Sequence, residues 1–212
     1  MTIRAVLFDF GGVVTTSPFE SFARYERDNG LPVDFIRGLN ATNPDTNAWA
    51  QLERNTVDLA TFGSLYEAEA KQAGHEIDAG AVLACLSGDI RPEMVTAIKR
   101  CRERLTTGCI TNNIASMTEG AADGQGWGKA VPLDDLFDAV IESSRVGVRK
   151  PDPKIYELAC EAMAVEPAEV VFLDDLGINL KPAAAMGMTT IKVVDAATAI
   201  DQLEGSVGFS VR

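Results

Sequence analysis

A chain of 212 residues, 46% of them hydrophobic, can bury one substantial core, or a core with a smaller accessory domain. With 19 basic against 31 acidic residues the net charge is -12, which argues against nucleic acid or anionic membrane as a partner and obliges an anionic ligand to find local positive charge. The N-terminal apolar run is short and interrupted by Asp9, so no signal peptide is expected, and no stretch approaches the roughly 18 apolar residues of a membrane span. The cysteines at positions 85, 101, 109 and 160 have no C-x-x-C spacing and are expected as reduced thiols in a cytoplasmic protein.

Ala5 to Phe8 is a buried strand that ends at Asp9, and Gly11-Gly12-Val13-Val14 follows. The next 75 or so residues are helical in pattern. Helices are expected around Phe19 to Asp28, Val33 to Leu39 and Ala81 to Leu86, with Gly30, Pro32, Asn43-Pro44 and Gly74 as punctuation. Phe62, Leu65, Tyr66 and Ala70 have the spacing of an amphipathic stripe, with Glu67 and Glu69 off it.

From about Arg91 helices alternate with strands. A helix through Met94, Ile98 and Cys101 leads to a strand from Thr107 to Ile110, which runs into Thr111-Asn112-Asn113. A glycine-rich loop, Gly120 to Gly128, precedes a strand from Ala139 to Glu142. Asp152-Pro153 has the form of an N-cap with a first-turn proline and opens a helix through Ile155, Leu158 and Met163. Val170 to Leu173 is a buried strand ending at Asp174-Asp175; Gly187 closes a short helix before a strand from Thr189 to Val194. The alternation predicts an α/β fold, a doubly wound parallel sheet. Residues 1–15 and 92–212 would form that core, and residues 16–91 an inserted small α-helical cap.

Polar groups at Asp9, Thr111-Asn112, Lys150 and Asp174-Asp175 follow separate segments of this core, three of them directly after apolar strands. In open α/β sheets, ligands bind outside the carboxyl ends of the strands. A carboxylate such as Asp9 can attack phosphorus as a nucleophile, and a hard divalent cation would relieve the repulsion between the two anions. Thr111 can donate a hydroxyl hydrogen bond to phosphoryl oxygens, beside the amides of Asn112 and Asn113. Lys150 can offer positive charge to Asp9 and to the transferring phosphoryl group.

The segments VLFDFGGVV, CITNN, VRKPDPKIY and VVFLDDLGINLKPAAAMGM resemble, in order, the four motifs of the haloacid dehalogenase (HAD)-like hydrolase superfamily. The last is especially similar to the N-terminal phosphatase domain of soluble epoxide hydrolases. The helical insert resembles the type 1 cap of the superfamily on its Rossmann-like core. The resemblance implies a magnesium-dependent hydrolase of small phosphorylated substrates, working through an aspartyl-phosphate on Asp9. It also implies Mg2+ ligands: the Asp9 side chain, the backbone carbonyl of Gly11 and Asp175, with Asp174 supporting and Asn179 buttressing the loop.

Most phosphatases of this superfamily carry a second aspartate where this chain has Gly11. That residue protonates the leaving group and then activates water, and losing a general acid/base costs about 10² to 10⁴-fold in rate. Gly11 therefore points to a substrate whose leaving group needs no proton, such as a sugar 1-phosphate or an acyl phosphate. Two alternatives share the motif set: a 2-haloacid dehalogenase, which needs no metal, and a catalytically weak protein that binds a phosphorylated ligand. Trp49, Phe19 and Phe22 are candidate pocket walls in the cap.

Overall fold

The computed structural model describes residues 2–114 and 133–212. The glycine-rich stretch Gly120 to Gly128 lies outside the described residues. Among those described, β1 (Ala5–Phe8), β2 (Thr106–Thr111), β3 (Ala139–Glu142), β4 (Val170–Asp174) and β5 (Thr189–Lys192) form one parallel sheet. Its order is β3-β2-β1-β4-β5. The order reverses beside β1, so the carboxyl ends of β1 and β4 open onto the crevice where such sheets bind ligands.

Helices α1 (Pro18–Asp28), α2 (Phe35–Ala41), α3 (Ala48–Glu53), α4 (Leu59–Gln72) and α5 (Ala79–Ala84) come between β1 and the rest of the sheet in sequence. They are followed by α6 (Pro92–Arg102), α7 (Leu133–Leu136), α8 (Ser143–Val146), α9 (Pro153–Met163), α10 (Gly177–Ala185) and α11 (Ala196–Val207). The parallel sheet with helices on both faces is the α/β architecture expected from the alternating pattern. No helix among the described residues is long and apolar enough to cross a membrane.

Period-2 alternation along β1 divides the core. Val6 and Phe8 face Met94 and Ile98 of α6 and Ile200 and Leu203 of α11. Ala5 and Leu7 face Ile155, Tyr156 and Ala159 of α9. All of β1 is buried, as a central parallel strand must be. On β2, Gly108 allows α9 close to the sheet: a Cβ there would lie 2.7 Å from the Met163 sulfur and 2.9 Å from a Leu7 methyl. All four cysteines are free thiols; Cys101, Cys109 and Cys160 are buried.

The inserted helices have their own apolar cluster, built on Phe22, Trp49, Phe62 and Tyr66. Phe62 and Tyr66 stack at 5.0 Å, and Trp49 meets Tyr66 at 5.6 Å. Leu65, expected on the buried stripe of α4, is 38% exposed. At 3.6 residues per turn it stands about 100° from the centre of the line through Phe62, Tyr66 and Ala70. Two longer elements escaped the sequence pattern: α3, capped by Asn47 accepting from the Ala50 amide at 2.8 Å, and α11, capped by Asp195 accepting from Thr198 at 2.8 Å. The strand expected to reach Val194 stops at Lys192.

Phe8 is fully buried between β1 and the helices on one face, whereas Leu65 is exposed over more than a third of its surface. Phe8→Ala should cost about 3–5 kcal/mol of unfolding free energy, and Leu65→Ser less than about 0.5 kcal/mol, by urea denaturation. A large cost at Leu65 would show that the apolar stripe of α4 includes it.

Candidate active site

The sheet register delivers the polar residues together. Phe8 stands opposite Leu173, and the Asp9 amide donates to the Leu173 carbonyl at 2.8 Å, carrying the β1–β4 pairing one step further. Asp9 therefore emerges beside Asp174, the last residue of β4. Thr111 ends β2 on the other side of β1. Lys150 comes from the segment between α8 and α9. Asn112 clamps its backbone: the Lys150 amide donates to Asn112 Oδ1 at 2.8 Å, and Asn112 Nδ2 donates to the Lys150 carbonyl at 3.1 Å.

That clamp holds a buried ammonium between two carboxylates. Lys150 Nζ lies 2.7 Å from Asp9 Oδ1 and 2.8 Å from Asp174 Oδ2, with its side chain 1% exposed. Burial opposes its charge, but Asp174 and Asp9 more than offset that and hold its pKa above the ordinary lysine value. Asp174 is fixed further by Asn179 Nδ2, 3.1 Å from each of its oxygens, and by the Leu176 amide at 2.8 Å. Asn179 thus steadies Asp174, and Tyr156 fastens Asn179 by donating its hydroxyl to the Asn179 carbonyl at 2.7 Å.

Charge is not balanced here. Carboxylate oxygens of Asp9, Asp174 and Asp175 lie within 4.8 Å of one another, against the single ammonium of Lys150. Burial pushes the Asp9 carboxyl well above its usual range; Lys150 pulls it down, and Asp174 and Asp175 push it up. Burial and Asp174 also raise Asp175 to about 6, partly countered by Lys150. Oxygen donors with an excess of negative charge suit a hard divalent cation, and such a cation would return both groups to the ionised form.

The two glycines of the first motif differ. Gly12 has φ of +79°, and a Cβ there would lie 2.2 Å from Asp175 Oδ2, so only glycine leaves Asp175 in place. Gly11 is outside the left-handed region and lines the cavity in front of Asp9, where a side chain is conformationally permitted.

A cavity of about 610 Å³ opens above these groups and is lined by Asp9, Gly11, Thr111, Asn112, Lys150, Asp175 and Asn179, together with residues of α1, α2 and α3. Asp174 is fully buried beneath it. Asn113, expected beside the ligand, is turned elsewhere. Its Nδ2 donates to Glu142 at 2.6 Å, its Oδ1 accepts from the Ser144 hydroxyl at 2.8 Å, and its backbone amide donates to Ser143 Oγ at 3.1 Å. Phe19, Phe22 and Trp49 line the cavity; Phe22 and Trp49 also belong to the apolar cluster of the inserted helices, and Phe19 packs against it. His75 packs edge-on against Phe35 at 4.8 Å and is not part of the lining.

Sequence inspection missed three participants. Ser17 caps α1 and donates to Asp175 Oδ2 at 3.4 Å; a Ser-Pro pair signals a helix start, but its reach to Asp175 is not written in the sequence. Glu53 of α3 meets Arg149, the neighbour of Lys150, with 2.6 Å between Oε2 and Nε. Arg149 also donates to the Pro44 carbonyl at 2.8 Å, and Ser143 Oγ donates to the Glu53 carbonyl at 2.7 Å. These contacts tie the inserted helices to the Lys150 segment. Burial raises the Glu53 carboxyl, with Arg149 and the Trp49 indole pulling it back.

A parallel α/β sheet carrying carboxylates and a buried lysine at its strand ends defines a hydrolase-type site. The family model for haloacid dehalogenase-like hydrolases matches residues 3–187, and the chain belongs to that family. Over 216 residues it is 34% identical to mouse (Mus musculus) acyl-CoA dehydrogenase family member 10, covering 97% of this chain and 19% of that protein. Over 220 residues it is 31% identical to mouse bifunctional epoxide hydrolase 2, covering 98% of this chain and 39% of that protein. The chain thus spans less than half the length of these two relatives. Phosphatase MT3486 of Mycobacterium tuberculosis is 30% identical over 200 residues, with 89% of this chain and 86% of that protein covered.

Among solved structures, a predicted HAD-like family hydrolase from Porphyromonas gingivalis superposes with a TM-score of 0.71 at 22% identity, covering 96% of this chain and 98% of that one. A HAD family enzyme from Bacteroides thetaiotaomicron, in complex with magnesium and inorganic phosphate, superposes with a TM-score of 0.62 at 19% identity, covering 90% and 93%. Both likenesses are of fold.

An aspartate whose pKa rises on folding is a burden whenever it is ionised. For Asp175 this burden is absent below about pH 4, grows as the pH rises towards 6, and is full above that. In chelator at pH 8, Asp175→Asn should therefore raise unfolding free energy by up to about 3 kcal/mol, read as an increase in Tm that shrinks at pH 4. No stabilisation at pH 8 would mean that the carboxylates are not in conflict.

Proposed function

We propose that the protein is a magnesium-dependent phosphomonoesterase acting on small phosphorylated substrates through an aspartyl-phosphate on Asp9. The observation that supports this most directly is the buried Lys150 ammonium shared by Asp9 and Asp174 at the floor of the cavity, with Asp175 alongside. A metal-free dehalogenase has no use for so concentrated a set of carboxylates. In this assignment residues 1–15 and 92–212 are the catalytic core and residues 16–91 the cap.

Asp9, the Gly11 carbonyl and Asp175 would hold Mg2+, with Asp174 fixing the arrangement from below. When bound, the cation supplies the positive charge that lets a phosphate approach a carboxylate. The protein's own groups do the rest. Lys150 and the Phe10 amide, 2.6 Å from Asp9 Oδ1, orient the nucleophile, and Lys150 favours its ionised form. Thr111 and Lys150 face the phosphoryl oxygens and stabilise charge as it moves onto them. An Asp9 oxygen forms a bond to phosphorus as the ester oxygen leaves with its electron pair. Water then attacks the phosphorus of the aspartyl-phosphate and gives up its proton to solvent, the bond from phosphorus to Asp9 breaks, inorganic phosphate departs, and Asp9 is restored as the carboxylate.

Nothing at position 11 protonates the departing oxygen or deprotonates water, so substrates whose oxygen leaves readily are favoured. Anomeric sugar phosphates and acyl phosphates both meet that requirement.

Purified protein should release phosphate from p-nitrophenyl phosphate only with magnesium, and Asp9→Asn should reduce the rate to background. Retained binding of inorganic phosphate with no turnover on any phosphate ester would instead support a binding protein. Gly11→Asp should speed hydrolysis of simple alkyl phosphates by about tenfold or more, since it restores a general acid. An unchanged rate would count against this role for the glycine.

A further inference from the structure

The cavity carries a second statement about the substrate, resting on the phosphatase assignment. Opposite Asp9, the α1–α3 side presents Pro18, Phe19, Phe22, Ala41, Pro44 and Trp49, with Leu86 beside them. Phe22 and Trp49 meet edge to face at 6.3 Å, a rigid aromatic corner fixed by the cap cluster. Several polar side chains on this wall already have partners within the protein. Asn40 Oδ1 accepts from the Tyr66 hydroxyl at 2.7 Å, and Glu53 accepts from the Trp49 indole at 2.9 Å while pairing with Arg149. Arg37 pairs with Asp34 at 3.2 Å and lies over the Phe19 ring at 4.5 Å. Arg54 donates to the Asp45 carbonyl.

A sugar entering here would exchange the hydration of several hydroxyls for aromatic faces, and each polar group buried without a partner is costly. An apolar body gains from the same surface. Gly11 adds the other constraint, that the oxygen bonded to phosphorus must leave without a proton. We propose that the substrate is a phosphate carried on the acidic oxygen of an apolar body, an aryl or acyl phosphate whose carbon skeleton lies against Phe19, Phe22, Trp49 and Leu86. At about 610 Å³ the cavity is of ordinary size for a small organic ligand, within the roughly 300–1,000 Å³ usual for such sites.

The two constraints separate kinetically, because the apolar wall acts on binding and the leaving group on the chemical step. Steady-state kinetics with magnesium on benzoyl phosphate, phenyl phosphate, acetyl phosphate, octyl phosphate and glucose 1-phosphate would test both, with Asp9→Asn subtracted as background. Benzoyl phosphate should exceed acetyl phosphate in kcat/KM by about tenfold or more, chiefly through a lower KM, given the aromatic area buried. Octyl phosphate should share the low KM with a kcat lower by about 10²-fold or more. Phenyl against benzoyl phosphate distinguishes an aryl from an acyl source. Phe19→Ala, at a half-buried position the cap can spare, should narrow the benzoyl-to-acetyl ratio. Glucose 1-phosphate matching or exceeding benzoyl phosphate overturns this inference and leaves the phosphatase standing. No turnover of any of the five overturns the phosphatase assignment, and the inference with it.

Discussion

The ammonium of Lys150 is the interaction on which the rest of the site depends. Three carboxylates converge where β1 and β4 end, and two of them are bridged by one buried cation at 2.7 and 2.8 Å. A lysine so enclosed stays charged only because its partners offset the loss of water, and removing the lysine would leave Asp9 and Asp174 buried without a counter-charge. The remaining negative charge, on oxygen donors within 4.8 Å of one another, is of the kind that suits a hard divalent cation. A protein with net charge -12 would otherwise repel an anionic ligand.

Much of the surrounding structure serves to hold that ammonium still. Asn112 grips the Lys150 backbone from the end of β2, Asn179 and the Leu176 amide fix Asp174, and Tyr156 fixes Asn179 in turn. The neighbouring residue, Arg149, carries the link outward to Glu53 and Pro44 of the inserted helices. The segment that carries Lys150 is therefore also bound to the inserted helices.

The adjacent glycines illustrate two different uses of a missing side chain. Gly12 is required by geometry, since its φ is +79° and Asp175 occupies the space a Cβ would need. Gly11 is not held in the left-handed region, and it lines the cavity in front of Asp9. It lies in the same cavity as the aromatic side chains Phe19, Phe22 and Trp49.

Sequence alone determined the parallel α/β core and the order in which Asp9, Thr111, Lys150 and Asp174-Asp175 meet it. Buried parallel strands are short apolar runs, and the residue at the end of each must emerge at one edge of the sheet. It did not disclose α3, whose Asn47 cap was inconspicuous among turn residues, nor that Leu65 falls off the stripe. It placed Asn112 and Asn113 together as ligand contacts. Tertiary structure separated them, since Asn112 closes on Lys150 while Asn113 is drawn to Glu142 and Ser144. Ser17, Glu53 and Arg149 likewise acquire meaning only when distant segments meet. Local pattern encodes which face of an element is buried; which polar group finds which partner across the fold depends on distances that no single segment contains.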